Sequence, residues 1–306
     1  MKVHFISGKG GVGKSTLSAA FAWQLHQKGE GPVLICDALG NGYASQLLGE
    51  RNLQYKISES LKYPGLFFTK LSPMESFREY FSILLTLGHQ DAFISQMTNR
   101  WRENLIDLVL DNKAVRSFVH ACPGLEPIVI LGKIFWEAKN GKDPKNKIPW
   151  KHIVVDSPAS GHFLMLFRST LALKNVFDSG IIRGQAEKLD NYIHDTSMTH
   201  VYLSSLLEEL PLQETLETVE LLKQLNIKVS KIWLNRTPLL NEEFPNEKAS
   251  NLDSHWQKVL EASRSHLEEQ KELLEKYQKH FENQLRPIPY LTGDLSQHFA
   301  EMAQAL

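Results

Sequence analysis

Short, nearly continuous apolar runs recur along this chain: residues 3–7, 32–37, 66–71, 150–156, 199–204 and 229–235. Each is long enough for a strand and lacks the alternation of a half-solvated one, so each suits a parallel strand covered on both faces. Between the runs, residues 17–27, 163–176, 183–194 and about 210–225 carry apolar positions at helical spacing. Strands alternating with helices predict an α/β fold, a mostly parallel twisted sheet with helices on both faces. Residues 52–68 read as a short strand or hairpin leading into the run at 66–71.

Two stretches break the alternation. Residues 73 to about 147 read as helical segments at 74–85, 90–99, 101–110, 115–120 and 127–139, closed by a polar turn at 140–147. A plain crossover between strands is far shorter, so this is an inserted helical subdomain. Its apolar residues, among them Phe77, Phe81, Phe93, Phe118 and Trp136, suit either a small core of its own or a groove for a client. After a polar loop at 237–253, residues 254–285 read as one long helix with Leu260, Leu267, Leu274 and Phe281 spaced by seven. That seam packs on its own domain or makes a coiled-coil contact. A closing helix is expected from residue 295, and the whole of 1–306 reads as one domain.

Composition narrows the possibilities. With 34 basic and 35 acidic residues the net charge is −1, so no global field draws the chain to nucleic acid or anionic lipid. No apolar stretch reaches the length of a membrane span, and no export leader precedes the first strand, so a cytoplasmic protein is expected. The two cysteines, Cys36 and Cys122, fall in no motif; they exclude a disulfide framework and a thiolate zinc or iron–sulfur cage. Both read as buried small apolar residues.

The most informative stretch follows the first strand: Gly8-Lys9-Gly10-Gly11-Val12-Gly13-Lys14-Ser15-Thr16. Gly, four residues, then Gly-Lys-Ser between a strand and a helix is the phosphate-loop pattern. Glycines let the backbone aim successive N–H groups inward, and the following helix adds the positive end of its dipole. Lys14 is then expected on the β- and γ-phosphates, Ser15 on a magnesium ion bridging them, and Thr16 near the α-phosphate. Two apolar runs end in Asp37 and Asp156, at strand ends where ligands of open α/β sheets bind.

Lys9, just after the first glycine, makes the loop resemble the deviant phosphate loop of the ArsA, MinD and ParA group of ATPases. In that group this lysine reaches across a dimer interface to the partner's nucleotide, a role that would make Lys9 catalytic. The alternative is a solvated loop lysine. Asp37 through Asn41 resembles the first switch of the ArsA family, although Ala38, Leu39 and Gly40 depart from its Pro-Ala-His. The resemblance makes Asp37 the carboxylate that activates the attacking water; its alternative is an N-cap of the next helix. Asp156-Ser-Pro-Ala-Ser-Gly161-His162 resembles the second switch, with Asp156 on magnesium directly or through water. There Gly161 would present its N–H to the γ-phosphate and His162 would report the switch state, or simply start a helix. Asn235 and Arg236 fall where the family places its adenine-binding asparagine; otherwise Asn235 is a strand-end turn former. Arg286-Pro287-Ile288-Pro289 resembles the adenine-side loop. Glu208 and Glu209, beside Leu210-Pro211, resemble a family segment at the dimer or nucleotide rim.

The resemblance to the ArsA family covers nearly the whole chain. It implies ATP and Mg2+ as cofactors, ATP hydrolysis, and, with one such half per chain, a homodimer clamping two nucleotides. Opening and closing would act on a protein client or a membrane-associated partner. A positioning ATPase like ParA or MinD and a metalloid-efflux subunit are the alternatives. The tail at 295–306 has no lysine or arginine, which disfavours a membrane-binding helix there, and too few cysteines are present for a metalloid site.

Overall fold

The computed structural model describes residues 1–38, 41–87, 106–108, 112, 113, 117, 124–176, 178–238, 253–281, 284–290 and 301–306. Among these residues eight strands form one sheet: β1 (Lys2–Gly8), β2 (Val33–Asp37), β3 (Ser58–Glu59), β4 (Leu66–Lys70), β5 (His152–Asp156), β6 (Thr199–Leu206), β7 (Val229–Thr237) and β8 (Leu285–Pro289). Their order is β3-β4-β2-β5-β1-β6-β7-β8, and every neighbouring pair is parallel except the short β3–β4 hairpin. The α/β fold with a mostly parallel sheet is therefore as expected from the apolar runs.

Side chains alternate between two cores. Val3 and Phe5 of β1, Leu34 and Cys36 of β2, and Ile153 and Val155 of β5 enter one cluster. Ile6, Val33, Ile35 and Val154 enter the other. On the first face lie α4 (Leu125–Asn140), α5 (Ser160–Val176), α6 (Ile181–His194) and α7 (Glu209–Gln224); on the second lie α1 (Lys14–Gln27) and α2 (Tyr43–Leu47). Covering both faces is what a sheet of uninterrupted apolar strands requires. Cys36 is fully buried, as expected, while Cys122 lies outside the described residues.

The inserted region between β4 and β5 begins with α3 (Pro73–Leu87) and ends with α4. Ile128, Leu131, Ile134 and Phe135 of α4 pack in the same core as Phe5 and Trp150. This end of the insertion is thus seated on the sheet. The helices expected at 90–99, 101–110 and 115–120, including Phe93 and Phe118, fall almost wholly outside the described residues. So do most of the 237–253 loop and residues 291–300.

One boundary differs from expectation. Helix α8 (Ser254–Gln278) stops short of residue 285, and Leu285–Pro289 pairs with β7 as an edge strand rather than a loop. Pro287 and Pro289 cannot donate ladder bonds, which restricts such a segment to an edge position. The seven-residue spacing had extended the helix through Phe281, yet Phe281 reaches the core from the turn that follows it. At this end the seam packs on its own domain, with Leu274 and Tyr277 against the same core.

Three histidines line up across β5, β1 and β6. His4 Nε2 lies 2.9 Å from His152 Nδ1, and the His4 ring stacks on His200 with centroids 5.3 Å apart. Burial holds His4 well below its ordinary pKa, and the neighbouring His152, His200 and Lys2 push it in the same direction. It is an uncharged packing element of the second face, beside Phe21 and Tyr202.

Candidate functional site

Because the strands are parallel, Gly8, Asp37, Asp156, Leu206 and Asn235 all fall at one rim of the sheet. Registers pair Gly8 with Ser204, Asp37 with Asp156, and Asn235 with Leu206. This is the rim at which open α/β sheets bind ligands.

Glycine is needed in the loop for close approach. A Cβ on Gly8, at φ +148°, would lie 2.1 Å from the Ser204 carbonyl oxygen, and one on Gly13, at φ +90°, would lie 2.2 Å from Asn235 Nδ2. Gly10 by contrast faces open space. The loop is also clamped from behind: the Val12 carbonyl accepts from Ser204 Oγ (3.2 Å) and from Asn235 Nδ2 (3.0 Å). Gly13 stands at the N-cap of α1 with no side-chain cap, leaving the N–H groups of the first turn to a ligand.

Lys14 follows. Its side chain is buried and folds back so that Nζ donates to the Lys9 carbonyl at 2.9 Å. Burial lowers its pKa against the pull of Asp156 and Glu214. Ser15 and Ser18 sit on the same side of α1 and donate to Asp156, Ser18 at 3.2 Å to Oδ1. Asp156 is wholly buried and its Oδ2 has no hydrogen-bond partner among the described residues. Burial raises its pKa to about 6; the nearby Asp37 adds to this, while Ser15, Ser18 and Lys14 oppose it.

Asp37 is equally buried, and its Oδ2 accepts from the Gly42 N–H at 2.6 Å. Gly42 holds the N-cap of α2, so Asp37 ties down the capping residue rather than being the cap. Asn41 is exposed and accepts from the Tyr43 N–H at 3.0 Å, while Leu39 and Gly40 lie outside the described residues.

The second switch leaves β5 under several ties. Ser7 Oγ donates to the Pro158 carbonyl (2.7 Å), and Ser160, the first residue of α5, donates to Glu214 Oε1 (2.6 Å). Gly161 and His162 are exposed in the first turn of α5. Lys9 Nζ lies 3.3 Å from the other oxygen of Glu214. Thr16 is half-buried on the first turn of α1.

On the far side of the loop, Asn235 Oδ1 accepts from the N–H of Arg236, so both ends of its amide are used on backbone. Arg236 is exposed and takes a left-handed φ of 56°. Pro287 and Pro289 stand beside it in register with Leu234 and Thr237. Glu208 is the N-cap residue of α7, and Glu209 pairs with Lys276 of α8 at 3.4 Å.

The expected residues therefore form two groups on one rim. Gly8 through Ser15 stand with Asp37 and Asp156, and Asn235 and Arg236 with Pro287 and Pro289. Sequence reasoning missed Ser18, Ser204 and Glu214 as parts of the site. Only Ser18 had a local signal, one turn beyond Lys14 and Ser15 on the same helical face.

Among the described residues no group of three histidine, cysteine or acidic side chains could hold a metal, so no zinc site is found there. Magnesium asks for less: one or two carboxylates, a hydroxyl and phosphate oxygens. A buried carboxylate with one unpartnered oxygen, next to Ser15, fits that ion.

A family model described as anion-transporting ATPase matches residues 1–38, which span β1, the loop, α1 and β2. The chain is similar to ATPase BagA of Mycobacterium tuberculosis (strain ATCC 25618 / H37Rv), 29% identical over 240 residues. That match covers 77% of this chain and 65% of BagA, so the chain spans less than two thirds of that relative's length. It is 27% identical over 267 residues to a protein of Aquifex aeolicus (strain VF5) named as an arsenical pump-driving ATPase 2, with 77% of this chain and 80% of the other covered. Among the described residues no helix is long and apolar enough to cross a membrane.

Proposed function

We propose, from the premise that this chain belongs to the ArsA-type ATPase family, that it binds ATP with magnesium and hydrolyses it as a nucleotide-driven switch. The observation that carries this reading is the pair of buried carboxylates, Asp37 and Asp156, in register across β2 and β5 beside a glycine-clamped loop and Lys14.

The backbone of Gly8 to Gly13 and the first turn of α1 cradle the phosphates, and Lys14 turns from the Lys9 carbonyl to the β- and γ-oxygens. Ser15 and Asp156 would hold magnesium, whose chemistry would be to offset negative charge on the phosphates. Asp37 orients the attacking water and accepts its proton, with the Gly42 N–H fixing the carboxylate in place. Gly161 approaches the γ-phosphate and His162 faces a partner. Asn235, Arg236, Pro287 and Pro289 form the base-side wall, with Asn235 bracing the loop from behind. Lys9 serves the nucleotide of a second copy, in a homodimer whose opening and closing act through the 73–147 insertion on a protein client or a membrane-associated partner.

The test is phosphate release from ATP with and without magnesium. Lys14→Ala is expected to abolish nucleotide binding, and Asp37→Asn to lower kcat by about 10²–10⁴-fold while ATP still binds. Turnover of Asp37→Asn equal to that of the parent chain would remove Asp37 from the chemistry. A parent chain with no magnesium-dependent release would remove the function.

A further inference from the structure

We infer that Glu214 is a positioning residue that holds Lys9 in a resting place inside its own chain and competes with phosphate for it. The inference rests on the nucleotide-binding reading above and adds a residue to it.

Glu214 lies in the second turn of α7, where its two carboxylate oxygens serve two different parts of the site. Oε2 is 3.3 Å from Lys9 Nζ, and Oε1 accepts from Ser160 Oγ at 2.6 Å. One carboxylate thus joins the phosphate loop to the first residue of the second-switch helix. With Gly8, Thr215 and Thr218, Lys9 and Glu214 line a shallow crevice against β6.

The resting arrangement also satisfies the second cation. Lys14 donates to the Lys9 carbonyl, so the side chain and the main chain of residue 9 both have partners within the chain. For Lys9 to reach a phosphate, here or across an interface, its bond to Glu214 has to break. Phosphate brought to the loop meets the negative charge of Glu214 as well, whose field already acts on Lys14. When Lys9 leaves, Ser160 is the remaining side-chain partner of the carboxylate among the described residues, so the state of the loop is passed to the start of α5 through a single side chain.

Both members of the pair are about a third exposed, 38% and 36%, so the hold is modest and reversible rather than a lock. The test compares the full chain with Glu214→Gln, which removes the charge but keeps an oxygen for Ser160. Glu217→Gln, one turn farther along α7 and exposed, removes the same charge without touching Lys9. Two quantities are read: the equilibrium affinity for a magnesium complex of a non-hydrolysable ATP analogue, and the rate of Lys9 acylation followed by peptide mass spectrometry.

Glu214→Gln is expected to bind the analogue about two- to fivefold more tightly and to acylate faster at Lys9. Glu217→Gln should do neither. The inference is overturned if Glu214→Gln leaves both quantities unchanged, if it weakens binding, or if both variants tighten binding equally, which a general field effect would produce. A parent chain that binds no nucleotide defeats the functional reading instead. Lys9 acylation then decides the inference alone, faster in Glu214→Gln supporting it and equal rates refuting it.

Discussion

Asp156 shows how one buried side chain couples stability to pH. Its pKa of about 6 stands above the unfolded value of about 3.9, so between those limits the folded chain keeps a proton that the unfolded chain has lost. The contribution of Asp156 to stability therefore rises as pH falls through 6, and at pH 7 its buried charge is a cost. Magnesium needs the charged form. We predict that affinity for magnesium and ATP falls as pH drops below about 6, by up to about tenfold per unit, and that binding near pH 6 releases a proton. Calorimetry in two buffers of different ionisation heat reads the released proton. Affinity that stays flat from pH 5.5 to 7.5 would rule the prediction out. At this scale the sequence carried the loop and both carboxylates, because strand, glycines and Gly-Lys-Ser are contiguous. It did not carry Ser204 and Glu214. Ser204 is 192 residues from its partner Val12, and only the β1–β6 register brings them together.

Between elements, a buried ion network ties the insertion to the sheet. Lys133 of α4 meets Glu79 of α3 at 2.7 Å and Glu137 at 2.9 Å; Glu137 in turn accepts from Trp150 Nε1 at 3.1 Å, and Glu79 from the Tyr55 hydroxyl. Burial works against the charge on Lys133, yet Glu137 and Glu79 carry its pKa above the ordinary lysine value. Removing the cation alone leaves Glu137 charged and buried. Lys133→Met is therefore expected to destabilise the fold by about 3 kcal/mol, at the low end for a broken buried pair because Glu79 is partly exposed. The double variant Lys133→Met, Glu137→Gln should recover part of that loss. Urea unfolding measures both, and a single variant within about 0.5 kcal/mol of the parent would contradict the argument. None of this network was legible beforehand. Polar residues spaced along a helix look the same whether solvated or buried, and α4 read as one more helix of an insertion. The edge strand β8 was hidden for a related reason: its two prolines argue against a strand until an edge position is known.

For the whole molecule, the rim that carries the loop also carries exposed apolar side chains. Tyr43 begins α2, Met165 lies in the second turn of α5 and Leu210 in the first turn of α7; they are 45%, 52% and 73% exposed. Each helix starts from the carboxyl end of a strand, so these three residues belong to the same rim as the phosphate loop, the rim that would face the second copy in the proposed dimer. A net charge of −1 sets up little long-range repulsion between two chains. In the proposed dimer, nucleotide would add phosphate charge at the rim, drawing Lys9 away from Glu214 and towards the phosphates of the opposite site. We predict that Asp37→Asn, which slows the chemistry and leaves the triphosphate bound, doubles in mass with ATP and magnesium, but not with ADP. Light scattering at micromolar concentration checks this. Leu210→Glu would place a charge in the surface proposed to close, away from the loop residues, so it should keep the chain monomeric while nucleotide still binds. An Asp37→Asn chain that stays monomeric at saturating ATP would leave Lys9 with no phosphates to serve except those of its own loop.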